Sequence, residues 1–147
     1  VLAADVMINR LRKLVKRNQR EGIDNMLALR VEAATLVCLM LPDNAIDRLH
    51  ILCPDPWPKS RHRYHRLICS NICAHFRRIL RKDGVLHFAT DDRPYFESSL
   101  AAIRASALFT ESPEAMSDIS EIKTDFEKKW NSMGLEVFHT AWRKIGD

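Results

Sequence analysis

Four carboxylates stand where a strand-like run gives way to a turn: Asp5, Glu32, Asp55 and Asp91. Ionised, each is a hydrogen-bond acceptor only, suited to vicinal hydroxyls or to N–H groups on a base edge. The third lies in Pro54-Asp55-Pro56-Trp57-Pro58-Lys59. Its prolines exclude a helix and leave few backbone conformations, so Asp55 acts from a stiff support. Directly after it, Arg61-His62-Arg63-Tyr64-His65-Arg66 crowds basic side chains around one aromatic ring. At the start of a helix the dipole disfavours each cation by up to ~1 kcal/mol, a cost that points to an anionic partner, phosphates foremost. A rigid turn with a packed tryptophan, followed by a solvated basic helix start, is the plainer account of the same residues.

Thr124-Asp125-Phe126-Glu127 reads in two ways. Ser/Thr-x-x-Glu before an apolar helix is a capping box, and a capped helix end still presents side chains to a ligand. Thr90-Asp91-Asp92 is either a plain turn or part of a pocket. His50, His75, His87 and His139 are scattered singly and receive no role. Cys38, Cys53, Cys69 and Cys73 contain no CxxC, which favours reduced, buried thiols over a zinc site, and no metal is expected.

The elements that must position these groups follow from periodicity. Val1 to Ala4 reads as a strand, and Val6 to Gly22 as an amphipathic basic helix. Met26 to Val31 is a strand, Ala33 to Leu41 a short helix, and Ala45 to Cys53 a strand. A helix is predicted from about His62 to Leu80, a strand over Val85 to Thr90 and a helix over Pro94 to Ser106. Leu108 to Thr110 begins another strand, Glu111 to Ile119 reads as a surface loop, Asp125 to Met133 as a helix, and Leu135 to Trp142 as a strand. Strands alternating with helices imply a mainly parallel α/β sheet, whose ligands bind beyond the carboxyl ends of the strands. Asp5, Glu32, Asp55 and Asp91 all fall at such ends.

The chain has 147 residues, 46% hydrophobic and 29% charged, which suits one globular domain over 1–147. Its net charge of +4 is modest but unevenly spread. Val6 to Arg20 has six Lys or Arg and no acid, and Pro56 to Lys82 has eight and no acid. The first cluster is most simply the solvated face of an outer helix. No apolar run approaches the ~20 residues of a membrane span and no signal peptide is visible, so a soluble cytoplasmic protein, monomer or homodimer, is expected. Val1 begins a strand already in progress, so a truncated N-terminus is expected.

Pro-Asp-Pro-Trp-Pro-Lys, then Arg61-His62, then Arg66-Leu67, resembles the signature of the tRNA (guanine-N7)-methyltransferase family. Thr90-Asp91 resembles the family's Thr-Asp, Thr124-Asp125-Phe126-Glu127 its Thr-x-Phe-Glu, and Asn25 with Glu32-Ala33 its Asn-rich turn and acidic-Ala pair. The resemblance covers essentially the whole chain. It implies a Rossmann-like class I methyltransferase with strand order 3-2-1-4-5-7-6 and an antiparallel C-terminal strand. The central first strand and its Gly-rich loop are expected to be absent.

The resemblance further implies S-adenosylmethionine as cofactor, with Asp5 on the ribose hydroxyls, Glu32 near the adenine, and Asp55 serving both cofactor and catalysis. Glu32 stands where an aspartate is usual. Lys59, Asp91, Thr124, Asp125, Phe126 and Glu127 are implied to hold the guanine, and Arg61, His62, Arg63, Tyr64, His65 and Arg66 to contact tRNA, at a variable-loop guanine. Where the family commonly has Lys-Arg-Arg before the leucine, this chain has Tyr64-His65-Arg66, and Tyr64 could stack on a base. A degenerate, non-catalytic member binding RNA or a protein is the alternative.

Overall fold

The computed structural model describes residues 1–146, in two compact units, the first Val1–Leu41 and the second from Pro42 onward. Among the described residues no helix is long and apolar enough to cross a membrane.

In the first unit β1 (Leu2–Asp5) pairs in parallel with β2 (Leu27–Arg30), Asp5 lying opposite Arg30. The crossover is α1 (Ile8–Glu21), which packs through the buried Leu11 and keeps its basic residues outward. Gly22 ends it in the left-handed conformation (φ 68°), with its N–H donating to the Asn18 carbonyl. After β2 come α2 (Ala33–Thr35) and a π-helical turn, Leu36–Met40, whose Leu36 and Val37 are buried.

The second unit is built on a four-stranded sheet: β3 (Ile46–Leu52), β4 (Leu80–Thr90), β5 (Phe109–Glu111) and β6 (Phe138–Lys144), ordered β3-β4-β6-β5. The β3–β4 pair is parallel, and β6 runs antiparallel to both of its neighbours. The expected mixed sheet is therefore present in two pieces, each reproducing the neighbour order of one half of the expected arrangement.

Alternation along the strands gives the sheet two different faces. Leu86, Phe88 and Thr90 are fully buried on the face covered by α3 (Ser70–Ile79) and α4 (Arg93–Ser106), with Cys73, Phe76, Ile79, Tyr95 and Ile103. Phe88, Tyr95, Phe96 and Phe138 form a run of ring contacts there. On the opposite face Val85 and Ala141 are covered by Ala115. That residue belongs to a 3-10 segment, Pro113–Ile119, so the stretch expected to be a surface loop is a packed element. An apolar alanine seated between two strands is the reason it folds back.

The helix expected from about His62 to Leu80 is broken. Ser60–His65 is a 3-10 segment, Arg66 to Cys69 are not helical, and α3 starts at Ser70 and ends where β4 begins. Tertiary bonds pull the middle out of helical geometry: the Ile68 amide donates to the Tyr95 hydroxyl at 3.1 Å, and the Arg66 side chain turns inward. The basic run thus lies outside the α-helix, and the dipole penalty argued from sequence does not arise. Gly84 sits within β4, where an added Cβ would lie 2.8 Å from the Arg81 carbonyl oxygen.

Candidate active site

In the second unit the carboxyl ends of β3 and β4 are adjacent, Leu52 pairing with Ala89. The chain leaves β3 through Cys53, whose amide donates to the Ala89 carbonyl at 2.8 Å and whose φ is +46°. Trp57 is also left-handed, at +44°. A non-glycine residue in this region costs about 1–2 kcal/mol, so the loop holds its shape only because its surroundings fix it.

Arg66 supplies much of that support. It is 8% exposed and donates through Nε to the Pro56 carbonyl at 2.7 Å and through Nη1 to Ser98 Oγ at 2.9 Å. Its guanidinium lies 4.8 Å from the centre of the Tyr95 ring and 4.0 Å from Asp92. Arg66, expected to contact tRNA, is thus buried here, with its Nε and Nη1 donors bonded within the fold. Arg61, Arg63, Tyr64 and His65 are exposed and His62 is half-buried. The rings of Trp57, His65 and Tyr64 form a ladder with centroid spacings of 4.7 and 4.0 Å.

Asp55 and Lys59 are exposed on the same loop, and Asp91 is exposed beyond β4. Asp92 caps α4 by accepting from the Tyr95 amide at 2.7 Å, and Thr90 Oγ1 accepts from the Asp92 amide. These bonds fix the turn that carries Asp91. From the other side comes α5 (Asp125–Ser132), capped by Thr124 Oγ1 accepting from the Glu127 amide at 3.1 Å. Among the described residues only this half of the expected capping box is seen; the Glu127 carboxylate lies instead 3.3 Å from His139 Nε2. Asp125 is exposed, and so is Phe126, which packs edge-on against Trp130.

Cys53 registers how these pieces meet. Burial first, then the negative charges of Asp91 and Glu127, push its thiol up to about 11. A cavity of about 120 Å³ lies between the sheet and the segment before α5, bounded by Leu52, Cys53, Ala89, Ile122, Thr124 and Glu127. The structure thus brings together Cys53 at the exit of β3, the turn at Asp91 and the start of α5, while Asp55 and Lys59 are not among the residues that bound this cavity.

The sequence reading missed the histidines on the sheet side of this cavity. His50 Nδ1 lies 3.1 Å from His87 Nδ1, and His87 Nε2 lies 3.1 Å from His139 Nδ1. With the His139–Glu127 contact they form a continuous chain. Each occupies a strand position facing the same side as its neighbours, a pattern recognisable once strand register is known.

In the first unit Asp5 Oδ1 accepts from the Met7 amide at 2.7 Å, while Oδ2 has a looser contact, 3.4 Å, with the exposed Arg10. A half-buried carboxylate with one loosely held oxygen at a strand exit suits a ribose diol. Glu32 is differently placed. Both its oxygens cap α2, accepting from the Ala34 and Thr35 amides and the Thr35 hydroxyl. Desolvation raises its carboxyl, but these donors outweigh it and hold the group below the usual range. Glu32 is exposed, and its Oε1 accepts only from the Ala34 amide among the described residues.

The family model Methyltransf_4, described as "Putative methyltransferase", matches residues 1–140. A protein named tRNA (guanine-N(7)-)-methyltransferase in Paracidovorax citrulli is 34% identical over 134 residues, 90% of this chain and 54% of that protein. One of the same name in Chlamydia caviae is 31% identical over 148 residues, covering 99% and 66% of the two. The chain therefore spans roughly half to two thirds of the length of these curated relatives. A solved tRNA (m1A58) methyltransferase from Aquifex aeolicus superposes with a TM-score of 0.63 at 10% identity, over 100% of this chain and 54% of that one. That likeness concerns fold alone, the Rossmann-like methyltransferase fold with a mixed sheet.

Proposed function

The chain belongs to the Methyltransf_4 family of methyltransferases, and from that premise we propose that it serves a tRNA (guanine-N7)-methyltransferase that uses S-adenosylmethionine, acting on a variable-loop guanine. The observation that carries this reading is that Cys53, which leads into the Pro54–Pro58 loop, shares a cavity with Thr124 and Glu127 and feels the charge of Asp91, in a chain that matches the family along nearly its whole length.

When bound, the cofactor supplies an electrophilic methyl group on a sulfonium. Asp5 is the residue that fits its ribose, and Glu32, exposed with a spare acceptor site on Oε1, the residue that fits the adenine. Guanine N7 already carries a lone pair, so no side chain need remove a proton before attack. The protein's task is alignment and electrostatics, which together can supply several kcal/mol. Asp55, held on a rigid loop, opposes the positive charge that grows on the purine. Asp91 and Glu127 are acceptors for guanine N1–H and N2–H, a pattern that selects guanine and enriches N7. Thr124 fixes the end of α5, Asp125 and Phe126 flank it, and Lys59 lies nearest the target nucleotide.

Arg61, Arg63 and Tyr64, with His62 and His65 beside them, form the surface offered to tRNA: cations for phosphates and a 78% exposed ring for a base. The same surface would serve a non-catalytic RNA-binding role. The deciding experiment is transfer of a labelled methyl group to unmodified tRNA, with mapping of the product and separate measurement of cofactor and tRNA binding. Label at guanine N7 is expected. Retained tRNA binding without transfer would favour the non-catalytic reading, and loss of both would end the assignment.

A further inference from the structure

We propose that His50, His87 and His139 are positioning residues for Glu127: three imidazoles, hydrogen-bonded in one direction, that keep its carboxylate aimed into the cavity. What Glu127 receives rests on the guanine-binding reading above; the chain itself does not.

The geometry is that of hydrogen bonds in series. The two imidazole-to-imidazole separations are both 3.1 Å, and the link to Glu127 is 3.3 Å. The His87 and His139 rings lie within 10° of parallel with centroids 5.4 Å apart, the spacing of an in-plane N–H···N bond rather than a face-to-face stack. His50 meets His87 edge-on at 79°. A shared metal would need nitrogens converging on one point, and among the described residues no such group of three His, Cys, Asp or Glu side chains occurs.

Direction follows from which atoms can donate. An ionised Glu127 only accepts, so His139 carries a proton on Nε2, and in its neutral form leaves Nδ1 bare. That bare nitrogen accepts from His87 Nε2–H, which leaves His87 Nδ1 to accept from His50 Nδ1–H. One carboxylate thereby sets three tautomers, the last of them the opposite of the one free histidine favours. The reverse order requires a protonated Glu127 or a doubly protonated His139.

The surroundings of His87 and His50 favour their neutral forms. Burial first, then the adjoining His50 and His139, lowers His87 to about 4. Burial and then Arg48 lower His50, with Asp118 working the other way. Arg48 and Asp118 form an ion pair at 2.9 Å, tying Pro113–Ile119 to β3 at the far end of the chain. The segment that delivers Thr124 and Glu127 is thus fastened to the sheet at both ends. Hydrogen bonds in series polarise one another, which stiffens the final link.

The test reads ring protonation in the isotope-labelled chain by long-range nitrogen–proton correlation near neutral pH. Expected are Nε2-protonated His139 and His87 and Nδ1-protonated His50. Glu127→Gln, whose amide can donate or accept, should release this order and return His50 to a mixture of tautomers. His87→Gln can accept from His50 and donate to His139, so it should preserve the His50 pattern, whereas His87→Leu should lose it. A proton on His50 Nε2 in the unsubstituted chain would overturn the proposal, as would three rings indifferent to Glu127→Gln. Should a variant fail to fold, the unsubstituted chain's ring pattern decides alone. Guanosine 5′-monophosphate then separates the two readings. Movement of the His139 ring signals supports both, while the expected tautomers with no response uphold the chain and remove guanine from Glu127.

Discussion

The guanidinium of Arg66 and the carbonyl oxygen of Pro56 are joined at 2.7 Å, so the last residue of the basic run braces the loop that presents Asp55. Arg66→Ala would leave that carbonyl and Ser98 without their donor. We expect a loss of about 2–3 kcal/mol in denaturant unfolding, with altered Trp57 fluorescence. Arg66→Lys should recover little, because an ammonium cannot span both acceptors.

The exposed members of the run should behave oppositely. Arg61→Ala and Arg63→Ala are expected to change stability by less than about 0.5 kcal/mol. Each should weaken tRNA binding and reduce the slope of log affinity against log salt by about 1 per lost phosphate contact. Binding measured at several salt concentrations checks this, and an unchanged slope would remove the residue from the interface.

Asp55→Asn isolates electrostatics from fold. The side chain is exposed on a loop held by other residues, so the melting temperature should stay put. Methyl transfer should fall about 10²-fold, the scale of losing one preorganised electrostatic group. Full activity in this variant would exclude Asp55 from the chemistry.

The depressed His87 gives stability a pH dependence of known sign. Its folded value of about 4 lies below the 6.5 of an ordinary histidine, so between those values the unfolded chain binds the extra proton. Its contribution is present above about pH 6.5 and is lost as pH falls toward 4. His87→Leu should flatten that limb of a stability–pH curve by at least ~1 kcal/mol, as read by urea unfolding at several pH values.

Thiol reactivity should rank by burial and ionisation. Cys69 is exposed and should be alkylated first, while Cys73 is fully buried and Cys53 is held near 11, so both should lag at pH 8. Peptide mapping after brief alkylation gives the order.

The alternation of strands and helices was legible because each element buries one face and its residues carry the matching period. The segment around Arg66 was not. Its conformation is set by Ser98 and by Tyr95, partners 32 and 27 residues distant from Arg66 and Ile68. Sequence spacing cannot see such bonds, and the charge of Arg66 made it look like surface. Asp55, Asp91, Thr124 and Glu127 stood out because they flank strand exits and a helix cap. His50, His87 and His139 did not, since only the pairing of three strands brings them into line.

Two left-handed residues, Cys53 and Trp57, bracket Asp55 in a stretch punctuated by Pro54, Pro56 and Pro58. Such a path has almost no slack. Adding or removing a single residue would rotate the carboxylate about the chain and shift Pro56 off its guanidinium support. The segment should therefore accept many changes of side chain and scarcely any change of length.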